Sequence, residues 1–327
     1  MLDLLILGAG PAGCAAAMQA RRAGLKVLLL EASSRVRPTP GETLHPGIEA
    51  IFAKLGVLEA VLAAQFHRHR GVWIAWDESY RFEAYGEDAT GAWLGFQAER
   101  RRLHEILQNA AEGAGAKLRR AVTPEAVLLD GAEVKGVRAD GQEIHARWTA
   151  DATGRDGWLA CALKLDQTVC SPTMHVRFGW SADCIQDVDA QPRITATPSG
   201  WEWRAPLGNT RAAWVKLAVD RPEEPISRQS GTDVSWQIRA NCAGPGYFLL
   251  GDAAATLDLL SSHGVLRAIM SGMLCAHLAA GNFHGHLPQD QSIDSYKSWI
   301  RGQFEHDVRT LRTLYRRHPS AELATLF

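Results

Sequence analysis

The first thirty residues alternate between apolar runs and a glycine-rich turn. Residues 4–7 are apolar, which predicts a buried strand, and the alanine-rich stretch that follows predicts a helix ending at Gly24. A second apolar run finishes at Glu31. The order of strand, turn, helix and strand predicts a βαβ unit at the start of the chain.

Three glycines in the turn indicate what this unit binds. Gly8 permits a tight turn, Gly10 lets the backbone approach a pyrophosphate, and Gly13 allows close packing of helix on strand. The helix N-terminus offers free N–H groups to phosphate charge, and Glu31 stands where a carboxylate accepts hydrogen bonds from a ribose. Glycine turns also occur where only packing requires them, but the complete unit favours a dinucleotide site. The glutamate disfavours NADP as the tightly held dinucleotide.

A second strand, turn and helix is predicted over residues 246–272. An apolar run leads to Gly251 and Asp252 at the turn, and the helix begins near Gly264. A carboxylate here accepts from the hydroxyls of a ribityl chain, or it serves as the cap of an ordinary turn.

Two stretches between these units have the composition of β structure. Residues 71–85 and 174–236 are rich in Trp, Val, Arg and Thr and are broken by Pro and Gly, so we expect them to join in one antiparallel sheet. In "GWEWRAP", Trp201 and Trp203 project from the same face of a strand. With Trp73 they either wall an apolar substrate pocket or fill the core.

The last forty residues contain a helical pattern. Its apolar positions recur at helical spacing with basic residues between them, which predicts a helix packed on the body with a solvated basic face. An arginine-rich helix that docks an acidic partner or nucleic acid is the alternative. The apolar positions are Trp299, Phe304, Val308, Leu311, Leu314 and Tyr315.

Composition narrows the class of protein. Of the 327 residues, 46% are hydrophobic and 22% are charged, and the net charge of −1 indicates no bias toward nucleic acid or an anionic membrane. Six cysteines include no CxxC pair, so we expect neither disulfides nor a metal site. We expect no signal peptide and no uninterrupted apolar stretch of the ~20 residues that span a membrane, and the predicted location is cytoplasmic.

Four stretches, in order, resemble the FAD-dependent monooxygenases of the p-hydroxybenzoate hydroxylase type and their relatives, the flavin-dependent halogenases and geranylgeranyl reductases. They are "GAGPAG" with Glu31, "GETLHPG" (41–47), "DATGR" (151–155) and "GDAAATLD" (251–258). The resemblance implies an α/β fold: a Rossmann-like FAD-binding domain of the glutathione-reductase type, an inserted antiparallel β-sheet substrate domain and a C-terminal helix. The expected segments are 1–70, 97–172 and 240–290 for FAD binding, 71–96 and 173–239 for the sheet, and 291–327 for the helical segment.

The same resemblance implies which residues bind the cofactor. Arg100 is chosen from three consecutive arginines, and Val122 is placed near the adenine. The implied electron source is either NAD(P)H, which would bind transiently without a Rossmann domain of its own, or a separate reductase. The implied FAD contacts are Gly8, Gly10, Pro11, Ala12, Gly13, Glu31, Ala32, Glu42, Thr43, Arg100, Val122, Gly251, Asp252 and Gly264.

The tryptophan pair bears on the reaction. "GWEWRAP" resembles the GWxWxIP sequence of flavin-dependent halogenases, with Ala205 in place of isoleucine. Halogenases also carry a lysine in the strand after the GE motif, where Val72 stands here, so halogenation is disfavoured.

The nearest resemblance is to the flavoprotein monooxygenases of tryptophylquinone cofactor biogenesis, through "RGVWIAWDE", "DATGRDGWLA" and "LDLLSSHGVLRAIMSG". It implies hydroxylation of an electron-rich aromatic ring by molecular oxygen through a C4a-hydroperoxyflavin. The substrate is an aromatic small molecule or a tryptophan in a peptide or partner protein. A geranylgeranyl-type FAD reductase and a non-catalytic FAD-stabilised binding protein remain as alternatives.

Two histidines are the candidate catalytic side chains. His45 in "GETLHPG" and His263 in "SSHG" lie in loops that the family directs toward the flavin ring, and imidazole titrates near neutral pH. A purely structural hydrogen-bonding role is the alternative for both.

Overall fold

The structure is a computed structural model that describes residues 1–35, 41–77, 79–182, 191–207, 211–220 and 231–327. The helices, in chain order, are α1 (Pro11–Arg22), α2 (Ile48–Lys54), α3 (Leu58–Ala63), α4 (Arg100–Gly113), α5 (Trp158–Ala162), α6 (Gly264–Phe283), α7 (Gln289–Tyr315) and α8 (Ala321–Ala324). The strands are β1 (Leu2–Leu7), β2 (Val27–Glu31), β3 (Glu42–Leu44), β4 (His67–His69), β5 (Gly71–Ala75), β6 (Tyr80–Ala84), β7 (Glu87–Asp88), β8 (Gly91–Ala92), β9 (Gly95–Ala98), β10 (Lys117–Arg120), β11 (Pro124–Asp130), β12 (Glu133–Ala139), β13 (Gln142–Asp151), β14 (Thr168–Val169), β15 (Met174–Ser181), β16 (Arg193–Thr197), β17 (Gly200–Pro206), β18 (Ala212–Val219), β19 (Gly231–Asp233), β20 (Gln237–Ile238), β21 (Ala243–Gly244), β22 (Tyr247–Leu249) and β23 (Ala255–Thr256).

The first sheet has β1 at its centre. β1 pairs in parallel with β2 and with β13, and β10 continues the parallel arrangement beyond β2. On the other side, β13 pairs antiparallel with β12 and parallel with β22. The apolar run of β1 is buried on both faces, as a central parallel strand requires. The predicted βαβ unit and the Rossmann-like α/β fold are confirmed, and every strand of this sheet falls within the segments expected to bind FAD.

Glycines allow helix α1 to pack closely on the loop before it and on helix α6. A Cβ on Gly13 would lie 2.0 Å from the carbonyl oxygen of Gly8, and one on Gly272 would lie 2.1 Å from that of Ala12. Helix α6 is long and apolar enough to span a membrane by length and composition alone, although Arg267 interrupts its apolar run. Half of its apolar window is buried inside the protein, and core helices meet the same criteria of length and composition.

The two tryptophan-rich stretches join in one seven-stranded sheet of order β19-β15-β18-β17-β16-β5-β6. The expected antiparallel pattern holds for all of its neighbours except one. β5 runs parallel to β16, which is possible because a long length of chain separates them. The side chains on the inner face of this sheet pack toward α7, and those on the outer face point away from it.

Helix α7 lies beneath the seven-stranded sheet. Its apolar stripe of Phe304, Val308, Leu311 and Tyr315 is buried in the same cluster as the inner face of the sheet. At the helix end, the Trp76 indole nitrogen donates to the Leu314 carbonyl at 3.0 Å. The predicted amphipathic helix packed on the body is confirmed, and it closes the space between the two sheets.

Candidate functional site

A cavity of about 680 Å³ lies between the two sheets, within the ~300–1,000 Å³ typical of small-molecule sites. The part formed by the glycine loop, residues 8–12, is called here the nucleotide cradle. The part formed by the inner face of the seven-stranded sheet, Ile194, Trp201, Trp203 and Val215, is called the tryptophan wall. The expected cofactor residues that line the cavity are Gly8, Gly10, Pro11, Ala12, Glu31, Ala32, Glu42, Thr43, Arg100, Val122, Gly251, Asp252 and Gly264.

The cradle is shaped by backbone geometry. Gly8 has a φ of +97°, and a Cβ there would lie 2.3 Å from the Ala152 carbonyl oxygen. A Cβ on Gly10 would meet no protein atom within 4 Å, so this glycine opens onto the cavity. Gly13 does not line the cavity and packs against Gly8 behind the loop. Since no side chain caps α1, its first N–H groups are available to an anion.

Glu31 holds the cradle in place. Its two carboxylate oxygens accept hydrogen bonds from the backbone nitrogens of Ala9 and Ser33, each at 2.9 Å. The carboxylate therefore fixes the glycine loop against the end of β2. Its contact with a ribose stays a prediction.

Arg100 is the one of the three consecutive arginines that lines the cavity. Its Nη1 lies 2.9 Å from Glu42 Oε1, whereas the side chains of Arg101 and Arg102 are more than half exposed. Burial raises the pKa of the Glu42 carboxyl, and the Arg100 guanidinium opposes that rise. Arg100 Nε is buried with no hydrogen-bond partner among the described residues, which leaves a donor for a ligand.

Asp252 lines the same side of the cavity, and its side chain is accessible from that space. Burial raises its pKa, and three guanidinium groups oppose the rise, those of Arg100, Arg267 and Arg155. The preceding Gly251 has a φ of +54°, and its nitrogen donates to Ser271 Oγ at 2.9 Å. The turn thus aims the carboxylate into the cavity in a cationic surrounding.

These features fit a bound FAD. The open space at Gly10, the uncapped helix and the spare Arg100 donor are suited to a phosphate-bearing nucleotide, and Asp252 is an acceptor for sugar hydroxyls. FAD, when bound, supplies the oxidation and reduction chemistry. The chain supplies binding, orientation and exclusion of water.

The two tryptophans of the wall are fixed from opposite sides. Trp201 is 1% exposed, and its indole nitrogen donates to the Tyr315 hydroxyl at 2.9 Å. The indole nitrogen of Trp203 donates to Thr43 Oγ1 at 3.1 Å, and that hydroxyl donates to Gln97 at 2.7 Å. Because both N–H groups are engaged with protein, neither ring offers a polar atom to the cavity, where Trp203 is half-buried and Trp201 is almost fully enclosed.

Trp73 does not belong to the wall. It alternates with Ile74, which packs on the inner face, so its ring lies on the outer face of β5. There it stacks on Tyr80 with ring centroids 4.7 Å apart. The prediction that Trp73 lines the substrate pocket is therefore not supported, because strand alternation turns it away.

The two candidate catalytic histidines are exposed and do not line the cavity. His45 Nδ1 accepts from the Gly47 nitrogen at 3.1 Å, and its ring meets the ring of Tyr85 edge-on at 4.8 Å. Partial burial and the nearby Arg267 lower the pKa of His263. The structure thus gives His45 a turn-stabilising hydrogen bond and does not bring either imidazole to the cavity.

Several lining residues escaped the sequence analysis. Asp258 and Arg267 reach the cavity from the loop before α6 and from its first turn, and Gln303 and Phe304 reach it from α7. Arg267 forms an ion pair of 2.7 Å with Asp307, which joins the two helices. The helical spacing of α7 marked an apolar face, but only the packing shows what that face encloses.

Comparison with known proteins identifies the family. The family model described as "FAD binding domain" matches residues 1–206. The chain is 26% identical over 355 residues to a tryptophan 2-halogenase of Chondromyces crocatus, a match that covers 92% of this chain and 65% of the halogenase. It is also 26% identical over 322 residues to a menaquinone reductase of Mycobacterium tuberculosis, covering 84% of this chain and 76% of the reductase. The chain thus spans less than two thirds of the halogenase's length.

Solved structures share the fold. The myxobacterial chondrochloren halogenase CndH superposes with a TM-score of 0.86 at 22% identity, covering 97% of this chain and 83% of that one. The peptidyl tryptophan dihydroxylase QhpG superposes with a TM-score of 0.77 at 18% identity, covering 97% and 75%. Since the matched family model covers more than half of the residues, the chain belongs to the FAD binding domain family.

Proposed function

We propose that this protein is an FAD-dependent monooxygenase that hydroxylates an electron-rich aromatic substrate. The observation that carries the proposal is the continuity of the nucleotide cradle and the tryptophan wall in one cavity. A substrate ring held against the wall lies in the same enclosed space as the cofactor. The reaction then depends on the orientation of the substrate and on the exclusion of water from the cavity, and the chain provides both.

The wall is suited to a flat aromatic ring. Trp203 is half-buried beside Ile194 and Val215, and the opposite side of the cavity adds Leu257 and Phe304. Aromatic rings stack well on indole and gain about 0.5–1.5 kcal/mol per pair beyond the area they bury. The same apolar surfaces exclude water from the reacting atoms.

Hydroxylation is favoured over halogenation by the strand that borders the wall. Val72 stands where halogenases carry their lysine, and it shares the inner face of β5 with Ile74. Among the described residues that line the cavity, none is a lysine. An amine that would carry a hypohalous acid is therefore lacking from this part of the cavity.

The proposed substrate class includes a tryptophan side chain in a peptide or partner protein. The fold shared with a protein named peptidyl tryptophan dihydroxylase supports testing such peptides beside small aromatics. NAD(P)H or a separate flavin reductase is the proposed source of electrons.

The test is product analysis with the FAD-loaded protein, NADH or NADPH with and without a flavin reductase, chloride and bromide. Indole, N-acetyltryptophanamide and tryptophan-containing peptides are offered under ¹⁸O₂. We expect a product that has gained one labelled oxygen atom and no halogen. A halogenated product contradicts the proposal.

A reductase is the second candidate, favoured by the similarity to a menaquinone reductase. It predicts saturation of an isoprenoid double bond in the absence of oxygen. Anaerobic incubation of the FAD-loaded protein with menaquinone and NADH or NADPH, with and without a flavin reductase, distinguishes the two, because a monooxygenase leaves the double bonds intact. Reduction of menaquinone without any oxygenated aromatic product would replace the monooxygenase proposal.

A further inference from the structure

A buried chain of hydrogen bonds runs from the tryptophan wall to a carboxylate. The Trp201 indole nitrogen donates to the Tyr315 hydroxyl at 2.9 Å, and that hydroxyl donates to Asp258 Oδ2 at 3.1 Å. The same carboxylate oxygen accepts from the Trp236 indole nitrogen at 2.8 Å, and Oδ1 accepts from the backbone nitrogen of Leu260 at 2.8 Å.

The direction of each bond is determined by chemistry. An indole N–H is only a donor, so the Tyr315 oxygen accepts from Trp201 and its single proton points to Asp258. Both aromatic side chains are fully buried, which excludes water as a substitute partner. The orientation of the Trp201 ring is therefore coupled to a group that lies on another segment of the chain.

Asp258 connects this series of hydrogen bonds to the cavity. Asp258 is 1% exposed, and both it and Trp201 are among the residues that line the cavity. Leu257, Leu259 and Leu260 on either side of it line the same space. The carboxylate thus holds the loop before α6 and the wall in one arrangement, across strand β17 and helix α7.

The carboxylate is costly to bury. Burial raises the pKa of Asp258 to about 6, and three hydrogen-bond donors and the charge of Arg267 oppose the rise. Buried ionised groups usually lower stability unless they are fully paired, and a neutral side chain would cap the short turn at Leu259–Ser261 with less loss. The presence of an acid here points to a task other than stability.

We infer that Asp258, acting through Tyr315, is a positioning residue that orients Trp201 as a wall of the substrate cavity. This inference rests on the proposed function, since it assumes that an aromatic ring binds against that wall. Asp258 has no assigned contact with the reacting atoms, and its effect passes through the Tyr315 hydroxyl.

The experiment compares Tyr315→Phe with Trp236→Phe. The first removes the hydroxyl that links Trp201 to Asp258 and keeps the ring that stacks on Phe327 at 4.2 Å. The second removes a different donor from the same carboxylate oxygen and leaves the link to Trp201 intact. Indole is the probe, and its Kd is measured from the change in visible absorbance of the FAD-loaded protein, without turnover.

We expect Tyr315→Phe to weaken indole binding at least tenfold, with unchanged FAD content, and Trp236→Phe to change it less than threefold. Equal affinity of native protein and Tyr315→Phe for indole overturns the inference. A native protein that binds no indole contradicts the aromatic pocket of the proposed function itself, so the two failures are distinguishable.

A second readout follows the link directly. The protein is labelled with ¹⁵N-indole tryptophan, and the Trp201 Nε1–H signal is assigned with Trp201→Phe. This signal should shift with a midpoint near pH 6 as Asp258 takes up a proton. The groups that surround the carboxylate are Arg267, Tyr315, Trp236 and the backbone nitrogen of Leu260. Tyr315→Phe and Asp258→Asn should each abolish that shift, whereas Trp236→Phe should retain it. A shift that persists in Asp258→Asn assigns the titration to another group and overturns the inference.

Discussion

The nucleotide cradle is shaped by backbone, whereas the tryptophan wall is shaped by side chains. Gly8 in the cradle and Gly13 directly behind it leave no room for a Cβ, and the loop conformation follows from that contact. In the wall, Trp201 and Trp203 are large rings that are fixed by single hydrogen bonds to separate parts of the chain. The backbone that shapes the cradle thus tolerates no added Cβ at Gly8 or Gly13, whereas substitutions in the wall should have graded effects.

The difference has a consequence for function. A rigid backbone cradle suits a cofactor that stays the same in every turnover. A wall of independently anchored rings permits one ring to change its position without loss of the fold, which suits discrimination among substrates. Substitutions in the two halves should therefore fail in different ways.

The largest effect is expected for Gly13→Ala. The new Cβ would lie 2.0 Å from the Gly8 carbonyl oxygen, and backbone on both sides must move. We expect a loss of more than about 3 kcal/mol in the free energy of unfolding of the FAD-free protein, since backbone cannot relax as a side chain does. Denaturant titration followed by circular dichroism measures it.

Gly10→Ala is the matched control within the same loop. Its φ of −77° suits alanine, and its Cβ would meet no protein atom within 4 Å. The FAD-free protein should keep its stability while the Kd for FAD rises at least tenfold, because the methyl group occupies space that the ligand needs. If both variants unfold alike, the cradle is not the rigid ligand site described above.

The next effect separates the two tryptophans. Trp201→Ala empties a fully buried site and should cost about 3–5 kcal/mol of unfolding free energy. Trp203→Ala removes a half-buried ring and should cost less than half as much, with FAD content retained and more reductant consumed per product formed. Thermal unfolding and a product-to-reductant ratio test the pair. Equal losses of stability would mean that Trp203 is packed as tightly as Trp201, which contradicts the half-buried position described above.

The cradle was predictable from the sequence and most of the wall was not, for a physical reason. A glycine loop between strand and helix is a local structure, so Gly8, Gly10 and Gly13 reveal it by their spacing alone. Strand alternation likewise put Trp201 and Trp203 on one face, and both rings do face inward.

Contacts between segments that are distant along the chain could not be predicted from these local patterns. Alternation could not say which face of β5 is the inner one, so Trp73 was assigned to the pocket although it stacks outside on Tyr80. The link from Trp201 to Tyr315 joins residues 114 positions apart, and no local pattern encodes it. The sequence placed His45 and His263 in loops near the expected flavin site, but it did not give the direction in which each loop presents its imidazole. Neither imidazole lines the cavity.

The wall should also have a pH dependence that the cradle lacks. Burial raises the pKa of Asp258 from 3.8 to about 6, so the folded state holds its proton more tightly than the unfolded state. As pH rises from 4 to 7, this group lowers the free energy of unfolding by about 2–3 kcal/mol, because each unit of difference between the folded and unfolded pKa contributes about 1.4 kcal/mol. Denaturant titrations of native protein and Asp258→Asn across that range give the difference. A difference that stays constant with pH contradicts this assignment.

The smallest effect is expected at the cavity edge where cradle and wall meet. Arg100→Gln leaves Glu42 without its cation and removes the spare Nε donor, so the Kd for FAD should rise about ten- to hundredfold, or ~1.5–3 kcal/mol. The pKa of Glu42, already raised by burial, rises further when Arg100 is lost, and the weakened binding should recover partly at low pH as that carboxyl takes up a proton.

Arg101→Gln is the control, because its exposed ion pair with Glu105 contributes at most about 1 kcal/mol and lies outside the cavity. Fluorescence titration of FAD into the flavin-free proteins at several pH values measures both. Equal affinities of the two variants would mean that Arg100 serves Glu42 alone and that its free Nε does not reach the ligand.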